Sequence, residues 1–244
     1  MFETSTRHLD LLRDGHPCQG CEARGRAVCG VLDCERLAQF RNLGSKLRLR
    51  AGQTLFNEGD PATRVFTLTM GSLKLYKQLP DGRRQIVGFS GSGDFLGISV
   101  DDEHAFSAEG VEDSELCCFP RSRFDAFIDE HPVMEHELYR MAAHELAMAQ
   151  LQLVLVGAKT ATERVASFLL HLIQKVERVR GEKTEVVDLP MSRGDIADYL
   201  GLTKETVSRV LSTFRAARLV RLRTLRQVQI LNRTLLEQVA EGDD

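Results

Sequence analysis

No apolar run in this chain approaches membrane-spanning length; the best, Leu151 to Val156, is interrupted by Gln152. The opening residues, Met1-Phe-Glu-Thr-Ser-Thr-Arg-His8, hold no apolar core, so no secretory signal is expected. Internal repeats and low-complexity stretches are absent, which sets repeat architectures aside. So are a catalytic triad, a dinucleotide fingerprint and a Walker loop, and an enzyme, including a redox enzyme with an appended DNA-binding unit, is not expected. The absences together predict a cytoplasmic protein with no membrane partner. In that compartment six cysteines are expected to be metal ligands or reduced thiols rather than disulfides.

What is present fits a globular body. The 244 residues suffice for two small domains, and 43% hydrophobic with 27% charged residues is ordinary for a soluble protein. The most informative stretch is Met191-Ser-Arg-Gly-Asp-Ile-Ala-Asp-Tyr-Leu-Gly-Leu-Thr-Lys-Glu-Thr-Val-Ser-Arg-Val-Leu-Ser-Thr-Phe214. It predicts two short helices joined by a turn at Gly201, capped by Ser192 (with Asp195 three residues on) and by Thr203. Ala197 is small where the helices would cross. Ile196, Leu200, Leu202, Val207, Val210 and Phe214 fall where a helix-turn-helix is apolar. Glu205, Ser208, Arg209 and Ser212 then share the outward face of the second helix, the kind of face that enters a major groove. A solvated amphipathic hairpin would share the periodicity, but charge favours DNA. Residues 190–233 hold nine Lys/Arg against three Asp/Glu, a local balance of +6 in a chain of net charge −3, so the remainder carries −9. One phosphate-binding face on an acidic body is the implied partition. Leu219 to Leu231 alternates as a hairpin wing, with Arg221 and Arg223 available for phosphates.

Upstream, Lys46 to Phe119 is broken into short alternating runs: Leu47/Leu49, Val65–Met70, Leu73–Lys77 and Gln85–Phe89. Turn residues separate them, which suggests an antiparallel sandwich or jelly roll. A short helix is expected from about Asp33 to Gly44, a long one from about Pro132 to Val156 ended by Gly157, and another over Thr162 to Val179. The long helix carries two apolar stripes. Met134, Leu138, Met141, Met148 and Leu155 suit the β-domain. Ala142, Leu146, Ala149, Leu153 and Val156 recur at coiled-coil spacing and imply a homodimer, the alternative being one wide stripe packed on its own subunit.

Cys18-x2-Cys21-x7-Cys29 places three thiols in one loop, with glycines 20, 25 and 30 letting the backbone wrap. Two fourth ligands are open. Cys34 would complete a compact structural zinc site. A cysteine from Leu116-Cys-Cys-Phe-Pro120 would instead tie the loop to a distant strand, as an iron–sulfur cluster does. Of Cys117 and Cys118, strand geometry lets only one face the loop. His16 and His104 are weaker candidates.

A β-roll, a long helix and a winged helix-turn-helix, in that order, resemble the cyclic AMP receptor protein superfamily of bacterial transcription regulators over essentially the whole chain. The match is closest to its fumarate-and-nitrate-reduction regulator (FNR) branch, carried by Met191 to Arg209 and by Glu205-x-x-Ser208-Arg209. The resemblance implies an α+β fold with a cysteine-rich segment over 1–45 and a cyclic-nucleotide-binding-like β-roll over 46–130. It puts the dimerisation helix over 131–157 and the DNA-binding domain over 158–244. Gly93-Asp-Phe-Leu-Gly97 resembles the start of the superfamily's phosphate cassette. Ile98 stands where cyclic AMP binders have Glu, however, and Phe106-Ser107 where they have Arg-Ser. Without that Arg the cyclic phosphate loses its bidentate partner, and no cyclic nucleotide is expected.

The FNR resemblance further implies an oxygen-labile 4Fe–4S cluster on Cys18, Cys21, Cys29 and Cys117, the last chosen because Pro120 follows by three residues. It implies a homodimer acting as an activator on double-stranded DNA near TTGAT-n4-ATCAA, with RNA polymerase as partner. Arg209 would pair with guanine, Glu205 would accept from the cytosine amine, and Ser208 would contact thymine or phosphate. Ser192, Arg193, Thr203, Lys204 and Thr206 complete the expected DNA face. In FNR regulators an acidic residue in the dimer seam opposes pairing until the cluster is present; alignment through Glu163-Arg164 puts Ala149 there.

Overall fold

The computed structural model describes residues 18, 20–99, 101–224 and 226–242; His16 lies outside them. The chain divides into two compact units. One holds residues up to Lys77 with Val87–Leu146, the other Gln78–Ile86 with the residues from Ala147 onward.

The first unit is built on two four-stranded antiparallel sheets. One runs β1 (Ser45–Leu49), β8 (Ser114–Pro120), β3 (Arg64–Met70), β6 (Phe95–Leu96). The other runs β2 (Thr54–Phe56), β7 (Ser107–Gly110), β4 (Ser72–Gln78), β5 (Arg84–Gly91). This is the expected β-roll. Strands β2, β6 and β7 are too short to leave a visible alternation, and only pairing reveals them.

Strand parity gives the first sheet two apolar faces. Phe66 and Leu68 on β3 and Leu116 and Cys118 on β8 fill the roll interior with Leu49, Phe56 and Leu73. Val65 and Phe119, one residue out of phase, join a second core with Val28, Leu37, Phe40, Phe124 and Met134. A strand covered on both sides loses polar alternation, so β8 reads as an apolar run. The second core is largely aromatic: Phe40 stacks on Phe119 at 4.4 Å, and Phe95 on Phe124 at 5.0 Å. Its cover consists of a 3-10 turn (Val28–Val31), α1 (Cys34–Asn42), α2 (Arg121–Asp129) and the start of α3 (Pro132–Ala158). Each fully buried side chain of this size contributes about 1.5–3 kcal/mol. Helix α2 was not anticipated; Phe124 and Phe127, three apart, are its buried face.

Helix α3 continues through Gly157 to Ala158, so that glycine does not end it. By length and composition alone it is apolar enough to cross a membrane, which amends the expectation that no stretch qualifies. Its apolar residues do not form one uniform surface, however. Met134 is buried and Leu138 and Met141 pack on the second core, whereas Met148 and Leu155 belong to the second unit.

The second unit holds α4 (Ala161–Arg180), α5 (Arg193–Leu200), α6 (Lys204–Ala216) and α7 (Arg233–Glu241). They surround a three-stranded antiparallel sheet ordered β10 (Val220–Thr224), β11 (Gln227–Ile230), β9 (Val186–Asp188). The wing hairpin was expected. Strand β9 and helix α7 were not: β9 is three residues long, and α7 starts from the side chain of Asn232, which caps Leu235 N.

Candidate metal centre and nucleic-acid interface

Helices α5 and α6 are fixed by their ends. Ser192 Oγ accepts from Asp195 N while the Asp195 carboxylate accepts from Ser192 N at 3.0 Å, a reciprocal cap that stabilises by about 1 kcal/mol. Gly201 closes α5 at φ 63°, a left-handed conformation in which a Cβ is strained, and Thr203 Oγ1 then accepts from Thr206 N. The turn therefore aims α6 through backbone chemistry as well as packing. Val207, Val210, Leu211 and Phe214 are buried, and Ile196, Ala197 and Leu200 meet them from α5. Leu202 is only half-buried.

Glu205, Ser208, Arg209 and Ser212 are all exposed on the opposite side of α6, Thr203 and Lys204 are exposed at its start, and Ser192 is exposed at the start of α5. Thr206 and Arg193 are half-buried, and burial pulls the Arg193 pKa down. Ser208 Oγ donates to Lys204 O at 2.9 Å, and Arg209 reaches the Thr206 hydroxyl at 3.4 Å. On the wing, Arg221 and Arg223 project from β10 into solvent, with a bulge between Leu222 and Thr224. Carboxylate, hydroxyl and guanidinium on one exposed helix face, flanked by basic side chains, can read base edges and hold phosphates together.

The cysteines separate into groups. Cys18, Cys21 and Cys29 from the loop and Cys117 from β8 line one cavity in the first unit; Cys34 and Cys118 do not. Cys118 points into the roll interior, and Cys34 opens α1 beside its cap, Asp33. His104 lies elsewhere, stacked on Phe56 at 3.8 Å, with its pKa lowered by burial.

Side-chain hydrogen bonds tie the loop to the roll. Arg26 donates to Ser92 O at 3.2 Å and to Ser92 Oγ at 3.1 Å. Gly30 sits against the Arg24 carbonyl, where an added Cβ would stand 2.4 Å from the oxygen. Gly20 and Gly25 have no such neighbour, so close approach explains only one of the three loop glycines.

Burial, then the neighbouring thiols Cys117 and Cys21, push the Cys18 pKa up to about 11, against the pull of Arg41 and Arg24. Cys29 rises to about 12, first from burial and then from Cys18, Cys21 and Cys117. Cys117 is raised by burial too, with Arg41 and Lys46 opposing. With their pKa values raised this far, Cys18 and Cys29 stay protonated until a cation displaces the protons. Among the described residues, no three of His, Cys, Asp and Glu close on one point as a single metal ion requires. The four cysteines line one cavity instead, and a set of four thiols is by its chemistry a donor set that a polynuclear iron–sulfur group can use.

Sequence reasoning missed the rest of the cavity wall. Arg24, Arg41 and Thr67 line it, and no described Asp or Glu does. Thr67 becomes visible only through register, since it lies directly across from Cys117 between β3 and β8. Nothing in the local sequence marks Arg24 or Arg41.

Comparison with known proteins gives a consistent picture. A Crp-like helix-turn-helix model matches residues 163–239 and a cyclic nucleotide-binding domain model matches residues 46–131. The nitrogen fixation regulation protein FixK of Bradyrhizobium diazoefficiens is 43% identical over 199 residues, 82% of this chain and 84% of that protein. The transcriptional activator protein FnrL of Cereibacter sphaeroides is 34% identical over 235 residues, 94% of each. The solved structure of FixK2 from Bradyrhizobium japonicum is similar at TM-score 0.74 and 36% identity, covering 80% of this chain and 96% of that one.

Proposed function

The chain belongs to the cyclic AMP receptor protein/FNR family of DNA-binding transcription regulators and is not an enzyme. On that premise we propose that it is an oxygen-responsive activator whose 4Fe–4S cluster is held by Cys18, Cys21, Cys29 and Cys117. The observation carrying this reading is that four cysteines from two distant parts of the sequence line one cavity while the two extra cysteines stay out of it. When bound, such a cluster supplies a group that oxygen destroys. The protein's own residues would do the remaining work: the four thiolates would hold the iron, Arg26 anchors the loop to the roll, and Phe119 and Phe40 would keep water from the sulfurs.

The active form is a homodimer in the cytoplasm. Leu146 and Leu153 on α3 are 61% and 74% exposed, and Ala142 and Ala149 are exposed in register with them. Val156, the last seam residue, is half-buried. Pairing two such stripes covers apolar surface and sets two α6 helices about a two-fold axis. A palindromic site follows, close to TTGAT-n4-ATCAA, read by Arg209 at guanine, Glu205 at cytosine and Ser208 at thymine or phosphate. RNA polymerase is the partner at the promoter. The effector is not a cyclic nucleotide: where cyclic AMP binders have Glu and an Arg-Ser pair, Ile98 and Phe106-Ser107 stand here.

Protein isolated without air is expected to be brown and to bind the palindrome, then to lose both colour and most binding on aeration. A colourless preparation that binds DNA equally with and without air would reject the oxygen-sensing reading.

A further inference from the structure

The cysteine cavity contains two polar groups with nothing to bond. Arg24 is 8% exposed and donates from Nη2 to Leu32 O at 3.2 Å, but its Nη1 is buried with no partner. Thr67 is 3% exposed, and its Oγ1 is likewise buried and unpartnered. Both side chains line the cavity with the four cysteines. An unmade bond on a buried guanidinium is among the more costly defects a core can hold, and a buried hydroxyl without a partner adds to it. The wall offers Arg24 no carboxylate, since no described Asp or Glu lines the cavity. Two orphaned donors on residues that line the same cavity as four cysteines call for an anionic acceptor there.

Resting on the cluster reading above, we propose that Arg24 Nη1 and Thr67 Oγ1 donate hydrogen bonds to sulfur atoms of the bound cluster or its thiolates and so set its reduction potential. Thr67 is the cross-strand partner of Cys117 in the β3–β8 register, and its hydroxyl lies on the face that carries that sulfur. Arg24 follows Cys21 by three residues, the Cys21 carbonyl accepts from Arg24 N at 3.2 Å, and the Arg24 side chain lines the same cavity as the loop's thiols. Both donors favour the more negative, reduced cluster; each therefore raises the potential and slows the loss of an electron to oxygen. The charge on Arg24 acts in the same direction. Arg24 and Thr67 are thus positioning residues for oxygen sensitivity rather than ligands.

The test uses full-length protein isolated without air, as wild type, Arg24→Met, Arg24→Lys and Thr67→Val. Iron and sulfide content, the mediator-titrated midpoint potential and the iron–sulfur stretching bands are measured on each. With the cluster retained, Arg24→Met is expected to shift the reduced-to-oxidised ratio at fixed potential roughly tenfold toward oxidised, about 59 mV more negative for a one-electron couple. Thr67→Val should move it in the same direction by less, and Arg24→Lys, which keeps the charge, should recover part of the change. The stretching bands should shift in step, and bleaching in air should quicken by roughly threefold or more. Loaded variants with wild-type potentials and bands would overturn the proposal while leaving the cluster reading intact. Should Arg24→Met fail to load, Thr67→Val decides alone: an unmoved potential overturns the proposal, a lowered one upholds it. A wild type without iron would overturn the cluster reading and this inference with it.

Discussion

Arg209 and Glu205 stand one helical turn apart on the exposed side of α6, with different partners to satisfy in a groove. A guanidinium fork that loses its guanine costs about 1–3 kcal/mol at that base pair alone. Arg209→Ala is therefore expected to lose that much on the cognate site and little on a site already altered at the guanine. Glu205→Ala should relax discrimination at one symmetric base pair per half-site. Affinities across a panel of single-base operator variants test both; uniform loss for Glu205→Ala would remove it from the base-reading set. These residues were legible from the sequence because helical periodicity alone assigns a side chain to an exposed face. Arg24 and Thr67 were not. Thr67 gains its significance from the pairing of β3 with β8, and Arg24 from how the loop folds onto the roll; neither leaves a local trace in the sequence.

Between elements, the α5–α6 turn depends on a left-handed glycine. Gly201 holds φ 63°, so Gly201→Ala should destabilise the second unit by about 1–2 kcal/mol, the cost of the left-handed conformation for a residue with a Cβ. Thermal unfolding should report this loss, while iron content should stay unchanged because the cysteines belong to the first unit. The alternation rule read β8 correctly: it said that only one of Cys117 and Cys118 can face the loop, and Cys117 lines the cavity while Cys118 fills the roll. The rule could not say which. That required knowing that both faces of the sheet are covered, one by the other sheet and one by the loop, α1 and α2. Among the elements that escaped, β9 is too short to show a period, α2 follows a strand with no turn residue beyond Pro120, and α7 is a short helix that starts directly after the wing. On α3 the sequence showed the apolar stripes but not that Met148 and Leu155 serve the second unit.

At the scale of the whole molecule, charge is segregated: the region from 190 to 233 carries +6 and the remainder −9. Arg221→Ala or Arg223→Ala should weaken binding to every sequence alike and lower the slope of log affinity against log salt by about one for each phosphate left without its cation. Titrations at several salt concentrations check this; a base-specific loss would contradict it. The seam of α3 makes a separate prediction. Ala149 places no charge on the expected two-fold axis, so cluster-free protein should retain some dimer at micromolar concentration. Ala149→Asp should make that form monomeric through like-charge repulsion of about 1 kcal/mol or more. Leu146→Asp should prevent dimers with and without the cluster. Sedimentation of both forms is the check, and a wholly monomeric cluster-free wild type would refute the residual dimer.

The claim on which the rest depends is that Cys117 of β8 joins the three loop cysteines in one centre. Iron and acid-labile sulfide, assayed in protein isolated without air, test it most directly for wild type, Cys117→Ala and Cys34→Ala. Both elements are expected in wild type and in Cys34→Ala and neither in Cys117→Ala. Retention by Cys117→Ala together with loss from Cys34→Ala would contradict the assignment.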